Sequence, residues 1–161
     1  MRNVGVSEAL TGKPSEVSDE LALRRLAYSD LPAVISIERR SFPAPWSLAM
    51  FVLELSKSSG ICLAASADEE LLGYLVCSRY DRVWHLMNVA VAPERRRRGV
   101  ASRLISRLIE EGGGELPFTL EVRVSNRDAI AMYERLGFRS AGVRPRYYQD
   151  NGEDALIMWL D

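Results

Sequence analysis

Apolar and polar positions change their spacing several times along this chain, and each change predicts an element. Leu21–Leu26 reads as a first strand. Ser29 can cap a helix whose apolar positions are Leu31, Val34, Ile35 and Ile37. The stretch Phe42-Pro43-Ala44-Pro45-Trp46 ends that helix, because two prolines remove donors and fix φ. Ser47 caps a second helix carrying Leu48, Phe51, Val52 and Leu55. Ile61–Ala67 and Leu71–Tyr80 read as strands joined by the acidic turn Asp68-Glu69-Glu70. Val83–Val91 follows as a strand with His85, Met87, Val89 and Val91 on one side. Gly99–Glu111 has helical spacing through Val100, Leu104, Ile105, Leu108 and Ile109, and Gly112-Gly113-Gly114 stops it. Phe118–Val124 is extended, Asn126 caps a helix over Arg127–Leu136, and Gly137 ends it. Arg139–Tyr148 and Asp154–Leu160 read as two strands turning at Asp150-Asn151-Gly152. The resulting order, β-α-α-β-β-β-α-β-α-β-β, predicts an α/β (α+β) domain: a central mixed sheet flanked by helices on both faces.

Residues 1–20 break this rhythm. They hold two glycines, a proline and four acids with few large apolar groups, and read as a mobile tail before one domain at 21–161. At 161 residues the chain suits one well-filled core. Its net charge of −1 argues against a general nucleic-acid binder. No apolar run reaches membrane-spanning length, and residues 1–20 lack the apolar core of a secretory signal. Cys62 and Cys77 each lie in an apolar stretch, which suits buried thiols in a reducing compartment; a cytoplasmic protein is expected. No His, Cys or carboxylate cluster has metal spacing, so no metal is expected.

The chemistry concentrates where the strand ending at Val91 passes through Pro93 and a basic loop into the helix. The first turn of a helix presents backbone N–H groups without intrahelical partners at an electropositive end, which suits phosphate oxygens. Gly99 and Ala101 lack the bulk that would hold a pyrophosphate away. A solvated arginine run or a nucleic-acid patch would explain Arg95 to Arg98 equally well by themselves; the strand-loop-helix context favours phosphate.

Arg96-Arg97-Arg98-Gly99-Val100-Ala101 resembles the signature of the GNAT acyl-CoA N-acyltransferase superfamily. Leu120-Glu121-Val122-Arg123-Val124-Ser125-Asn126 and Ala129-Ile130-Ala131-Met132-Tyr133-Glu134-Arg135-Leu136-Gly137-Phe138 are similar to the RimI-type N-terminal acetyltransferases within it. Arg146-Tyr147-Tyr148, Gly152 to Met158 and Pro45-Trp46-Ser47 extend the resemblance over about residues 21–160. It departs from the commoner pattern at Arg96, often Gln, at Ala101, often Gly, and at Ser102, often basic. The resemblance implies a GNAT-like fold, acetyl-CoA as co-substrate, and a protein N-terminus, that of ribosomal protein S18, as acceptor.

It also assigns roles. Thr119, Glu121 and Arg123 alternate with Leu120, Val122 and Val124, so Glu121 can face a cleft, where partial burial would raise its pKa. A solvated acid paired with Arg123 is the plainer reading, and the resemblance decides for Glu121 as the base. Tyr133 matches the proton donor, against a plain reading as a core aromatic. A phenol, with an ordinary pKa of ~10, can protonate a leaving thiolate. Arg96 to Ser102 would hold the pyrophosphate, the backbone of Val89, Ala90 and Val91 the amide-rich pantetheine arm, and Asn126 that arm besides its helix cap. Trp46, Tyr147 and Tyr148 could line the acceptor groove, each with a plain reading in packing. Glu38 and Asp154 could attract a cationic substrate or be solvated. His85 reads as structural. Transfer is expected to be direct, in a ternary complex. An acetyltransferase of small amines or lysine side chains, or a non-catalytic acyl-CoA-binding module, remains as the alternative.

Overall fold

A computed structural model describes residues 2–3 and 21–161. The expected tail at 1–20 otherwise lies outside the described residues. The strands are β1 (Arg2–Asn3), β2 (Ala22–Arg25), β3 (Ile61–Ala67), β4 (Glu70–Tyr80), β5 (Val83–Val91), β6 (Phe118–Arg123), β7 (Arg139–Arg144) and β8 (Ala155–Leu160). The helices are α1 (Leu31–Ser41), α2 (Leu48–Ser56), α3 (Val100–Gly112) and α4 (Arg127–Arg135). Seven strands run in the order β2-β3-β4-β5-β6-β8-β7, and β1 joins as an eighth on β5. All neighbours are antiparallel except β5–β6 and β1–β5. The element order and mixed sheet match the expectation from the sequence.

Two apolar clusters cover the two faces. Residues of α3 and α4, including Leu104, Ile105, Leu108 and Met132, pack on Leu75, Leu86, Val89, Val91, Leu120 and Val122. Residues of α1 and α2, including Val34, Ile37 and Phe51, pack on Cys62, Ala64, Tyr74, Val76 and Ala90. The two thiols are free and buried; burial pushes Cys62 up to about 11. Gly73 allows β4 and β5 to approach, since a Cβ there would stand 2.8 Å from the Ala90 carbonyl oxygen.

Several local expectations are corrected. Ser29 does not cap α1. It lies in a 3₁₀ turn, Tyr28–Asp30, whose Asp30 carboxylate accepts from the Ala27 amide at 2.8 Å and is held by Arg24. Ser47 caps α2 as expected, accepting from Met50 N–H at 3.3 Å. Of that helix's expected apolar face only Phe51 is fully buried, because α2 lies at the rim; Leu48 and Val52 are exposed. Gly99 precedes α3 in the left-handed region, φ 79°, while Gly112 is still helical. Strand β7 stops at Arg144, four residues earlier than expected, at Pro145 and the left-handed Arg146, φ 50°.

Candidate active site

Strands β5 and β6 pair only at Trp84 with Phe118 and His85 with Thr119. Beyond that the strands diverge, although β6 remains paired to β8 through Arg123. A bulge accompanies the divergence: Val76 pairs with Asn88 and Cys77 with Leu86, leaving Met87 extra on β5. Bulges bend a strand and raise its twist. The bulge also corrects the expected facing of β5. His85 and Met87 share the face toward α1 and α2, whereas Val89 and Val91 turn toward α3 and α4. Arg2 and Asn3 pair with Asn88 and Val89 on the stretch that β6 has left.

On the α1/α2 face, the Glu121 carboxylate is almost fully buried, at 3% exposure. Its Oε1 lies 2.8 Å from His85 Nε2 and its Oε2 accepts from Arg144 Nε at 3.3 Å. Burial alone would push this carboxyl up, but His85 and Arg144 outweigh it and hold Glu121 below its ordinary value. The expected rise is therefore reversed, because the cleft supplies partners that burial alone does not. The anticipated alternative partner, Arg123, turns to the loop after β7 and bonds Asp150 at 2.9 Å and Glu153 at 3.3 Å.

Tyr147 stands at partial burial near Glu121; burial first, and the Glu121 charge second, push its phenol up. Tyr148 is buried beneath the Arg123 guanidinium, 4.0 Å from its ring centroid. Its neighbourhood is that of an anchor for the loop, with Tyr148 N–H donating to the Glu153 carbonyl at 3.1 Å. Trp46 is buried against Phe51, ring centroids 5.1 Å apart. Asp154 accepts from the Arg146 amide at 2.9 Å, which fixes the turn. Glu38 is fully buried, so the solvated or substrate-attracting role weighed for it is replaced: its carboxylate accepts from Trp46 N–H at 2.8 Å, Tyr74 Oη at 2.5 Å and Asn88 Nδ2 at 2.9 Å.

The opposite face carries the loop and α3. The Arg103 amide bonds the Gly99 carbonyl at 3.1 Å, so the amides of residues 99–102 open the helix ahead of that bond. Arg97, at φ 67°, and Arg98 are exposed beside this end. Arg96 turns inward and clasps the loop, donating to the Val91 carbonyl at 3.0 Å and Ser41 Oγ at 3.1 Å. Asn126 caps α4 through the Ala129 amide at 3.2 Å. Tyr133 on α4 is fully buried, its ring 5.6 Å from that of Phe138.

The parallel strands thus splay, with a basic loop and helix start on one face and a buried carboxylate on the other. Residues 31–138 match the acetyltransferase (GNAT) family. The chain belongs to that family. This GNAT chain is 37% identical over 139 residues to the ribosomal protein bS18-alanine N-acetyltransferase of Salmonella typhimurium, covering 84% of the chain and 93% of the relative. It is 30% identical over 154 residues to an N-alpha-acetyltransferase of Saccharolobus solfataricus, covering 86% and 92%. Its fold is similar to the crystal structure of the ribosomal-protein-S18-alanine N-acetyltransferase from Escherichia coli, with TM-score 0.80, 34% identity, and coverage of 87% and 92%. Two polar residues of the GNAT cleft escaped sequence reasoning. His85 read as structural, yet it lies against Glu121; its place two residues inside the start of β5 was the available signal. Asn88 carried none, since a lone amide in an apolar strand discloses its surroundings only once the bulge is known.

Proposed function

We propose that this N-acetyltransferase moves the acetyl group of acetyl-CoA to a protein N-terminal amine, that of ribosomal protein S18, in the cytoplasm. The observation that carries the reading is Glu121 in the splay, bonded to His85 and Arg144 on the face opposite the phosphate-binding loop. The family relatives named above support the acceptor.

The residues present fit acetyl-CoA. Gly99 to Ser102 and Arg97–Arg98 offer backbone donors and charge to its phosphates. The backbone of Val89 to Val91 offers the strand edge that β6 has left to its pantetheine amides, and the pairing of Asn3 with Val89 supports that this edge takes an added strand. Both occupants use Val89, so β1 yields when the arm binds. Arg96 serves the loop from inside by its bonds to Val91 and Ser41. Asn126 holds the α4 end beside the arm. Acetyl-CoA supplies the activated acyl group; the chain supplies orientation and proton handling.

Glu121 accepts the proton that the amine loses on attack, directly or through water. A carboxylate held below its ordinary pKa is fully ionised near neutrality and so free to accept that proton. His85, at 2.8 Å, orients the Glu121 carboxylate for that contact. Tyr133 returns a proton to the leaving sulfur. Tyr147 and Trp46 line the acceptor side, and Tyr148 acts by anchoring the loop that carries Tyr147. Direct transfer in a ternary complex follows from two groups approaching from opposite faces of one sheet.

The test is CoA release from acetyl-CoA with a peptide copying the N-terminus of the source organism's own S18, beside an N-blocked copy and a polyamine. Release with the free α-amine alone is expected. Release with the polyamine alone would overturn the acceptor assignment.

A further inference from the structure

Glu38 is a carboxylate at 0% exposure on α1 that accepts from three donors in the α1–α2 loop, β4 and β5. Burying such a group is costly, and an apolar residue would fill the space more cheaply. What the carboxylate does that an apolar residue cannot is orient its donors. The Asn88 amide presents Nδ2 to Glu38 and turns Oδ1 away. Asn88 is itself at 0% exposure, and its Oδ1 has no hydrogen-bond donor among the described residues. Buried carbonyl oxygens are rarely left so, and an exception calls for a reason.

Its location supplies one. Asn88 directly follows the Met87 bulge, on the stretch of β5 that β6 has left. It projects to the α1/α2 face, shown by its bond to α1, and Glu121 projects to the same face from the other side of the splay, since Leu120 and Val122 pack beneath α3 and α4. The two side chains therefore lie on the same face, on either side of the splay. A neutral primary amine that aims its lone pair at a thioester carbon has two N–H bonds left to place. Glu121 takes one.

We propose that Asn88 Oδ1 accepts the other N–H of the acceptor amine, and that Glu38 is a positioning residue that fixes the Asn88 amide for this contact. The site then selects primary amines, with two N–H bonds to offer, over secondary ones. The inference rests on the reading that an amine is acetylated on this face, not on the acceptor's identity.

The experiment measures kcat/KM for the S18-like peptide and for the same peptide beginning with an N-methyl residue, with acetyl-CoA affinity measured alongside, in wild type, Asn88→Ala, Glu38→Gln and the double variant. Asn88→Ala is expected to lower kcat/KM for the primary amine about tenfold, the factor one hydrogen bond ordinarily carries. It should leave acetyl-CoA affinity unchanged and shrink the penalty for N-methylation. Glu38→Gln should lower kcat/KM in the wild-type background and add nothing in the Asn88→Ala background. A Glu38→Gln effect that persists undiminished there would make Glu38 merely structural and overturn the coupling. Asn88→Ala with unchanged kcat/KM, or with acetyl-CoA affinity falling by the same factor, would overturn the contact even if Glu38→Gln fails to fold. A wild type inactive toward every free amine would instead overturn the acceptor reading on which this one stands.

Discussion

Glu121→Gln separates chemistry from architecture. The substitution keeps the side chain's size at a position with 3% exposure, so no cavity opens. It removes the charge between His85 at 2.8 Å and Arg144 at 3.3 Å. The Arg144 side chain is 55% exposed, so solvent screens that pair and its loss costs little. The His85 contact is more enclosed, and one charge-assisted hydrogen bond is worth about 1.5–3 kcal/mol. Gln recovers part of it, because its amide can still hydrogen-bond the imidazole, leaving a net loss of about 1 kcal/mol. For a domain of this size that lowers Tm by roughly 2–4 °C. Turnover should respond on another scale. A positioned general base contributes about 10²–10⁴ in rate, or about 2.7–5.5 kcal/mol. Single-turnover CoA release with the S18-like peptide should therefore slow by at least about a hundredfold. Calorimetric acetyl-CoA affinity, set on the opposite face, should hold. A rate within about threefold of wild type, beside intact cofactor binding, would remove Glu121 from proton transfer.

Tyr133→Phe should slow the chemical step and leave acetyl-CoA affinity unchanged; an unaltered single-turnover rate would strike the phenol from the mechanism. Gly99→Leu places a side chain at φ 79°, where a non-glycine residue costs about 1–2 kcal/mol, and crowds the helix start. Titration should show weaker acetyl-CoA binding, and unchanged affinity would mean that the phosphates dock elsewhere. Acid should destabilise the fold through carboxyls held below their ordinary values. In Glu121 burial is outweighed by His85 and Arg144, Asp30 is held down by Arg24, and Glu153 by Ser125. For such groups the stabilisation is complete above the unfolded carboxylate pKa of about 4 and is lost as pH falls through the lower folded values. Thermal unfolding from pH 7 to pH 3 should show Tm falling at the acid end, less steeply in Glu121→Gln; an identical slope in that variant would deny Glu121 its share.

The element order was legible because apolar spacing and caps act locally. Ser47, Asn126 and Gly137 sit where side-chain chemistry alone would put them. The misreadings arise where a distant part of the chain decides. Strict alternation put His85 and Val89 on one side, and the bulge opposite β4 divided them. Ser29 is a good cap by type, but Arg24 holds Asp30 and makes the turn there instead. Glu38 read as a surface acid because its three donors come from positions up to 50 residues away. The candidate base and loop came from motif resemblance alone, whereas the splay between them exists only in the pairing of strands far apart in sequence.

That splay has a consequence for how the protein holds together. Strands β2 to β5 form one antiparallel ribbon and β6 to β8 another, and only two residue pairs stitch the ribbons edge to edge. The seam depends on the α3/α4 cluster, which draws on both ribbons. Amides along the seam should open at lower free energy than those inside either ribbon, and exchange their hydrogens sooner. A ligand that spans the seam binds only the closed form, so acetyl-CoA should protect β5 and β6 more than the hairpins at the sheet's edges. Ligand occupancy and cohesion of the two ribbons should then be one equilibrium.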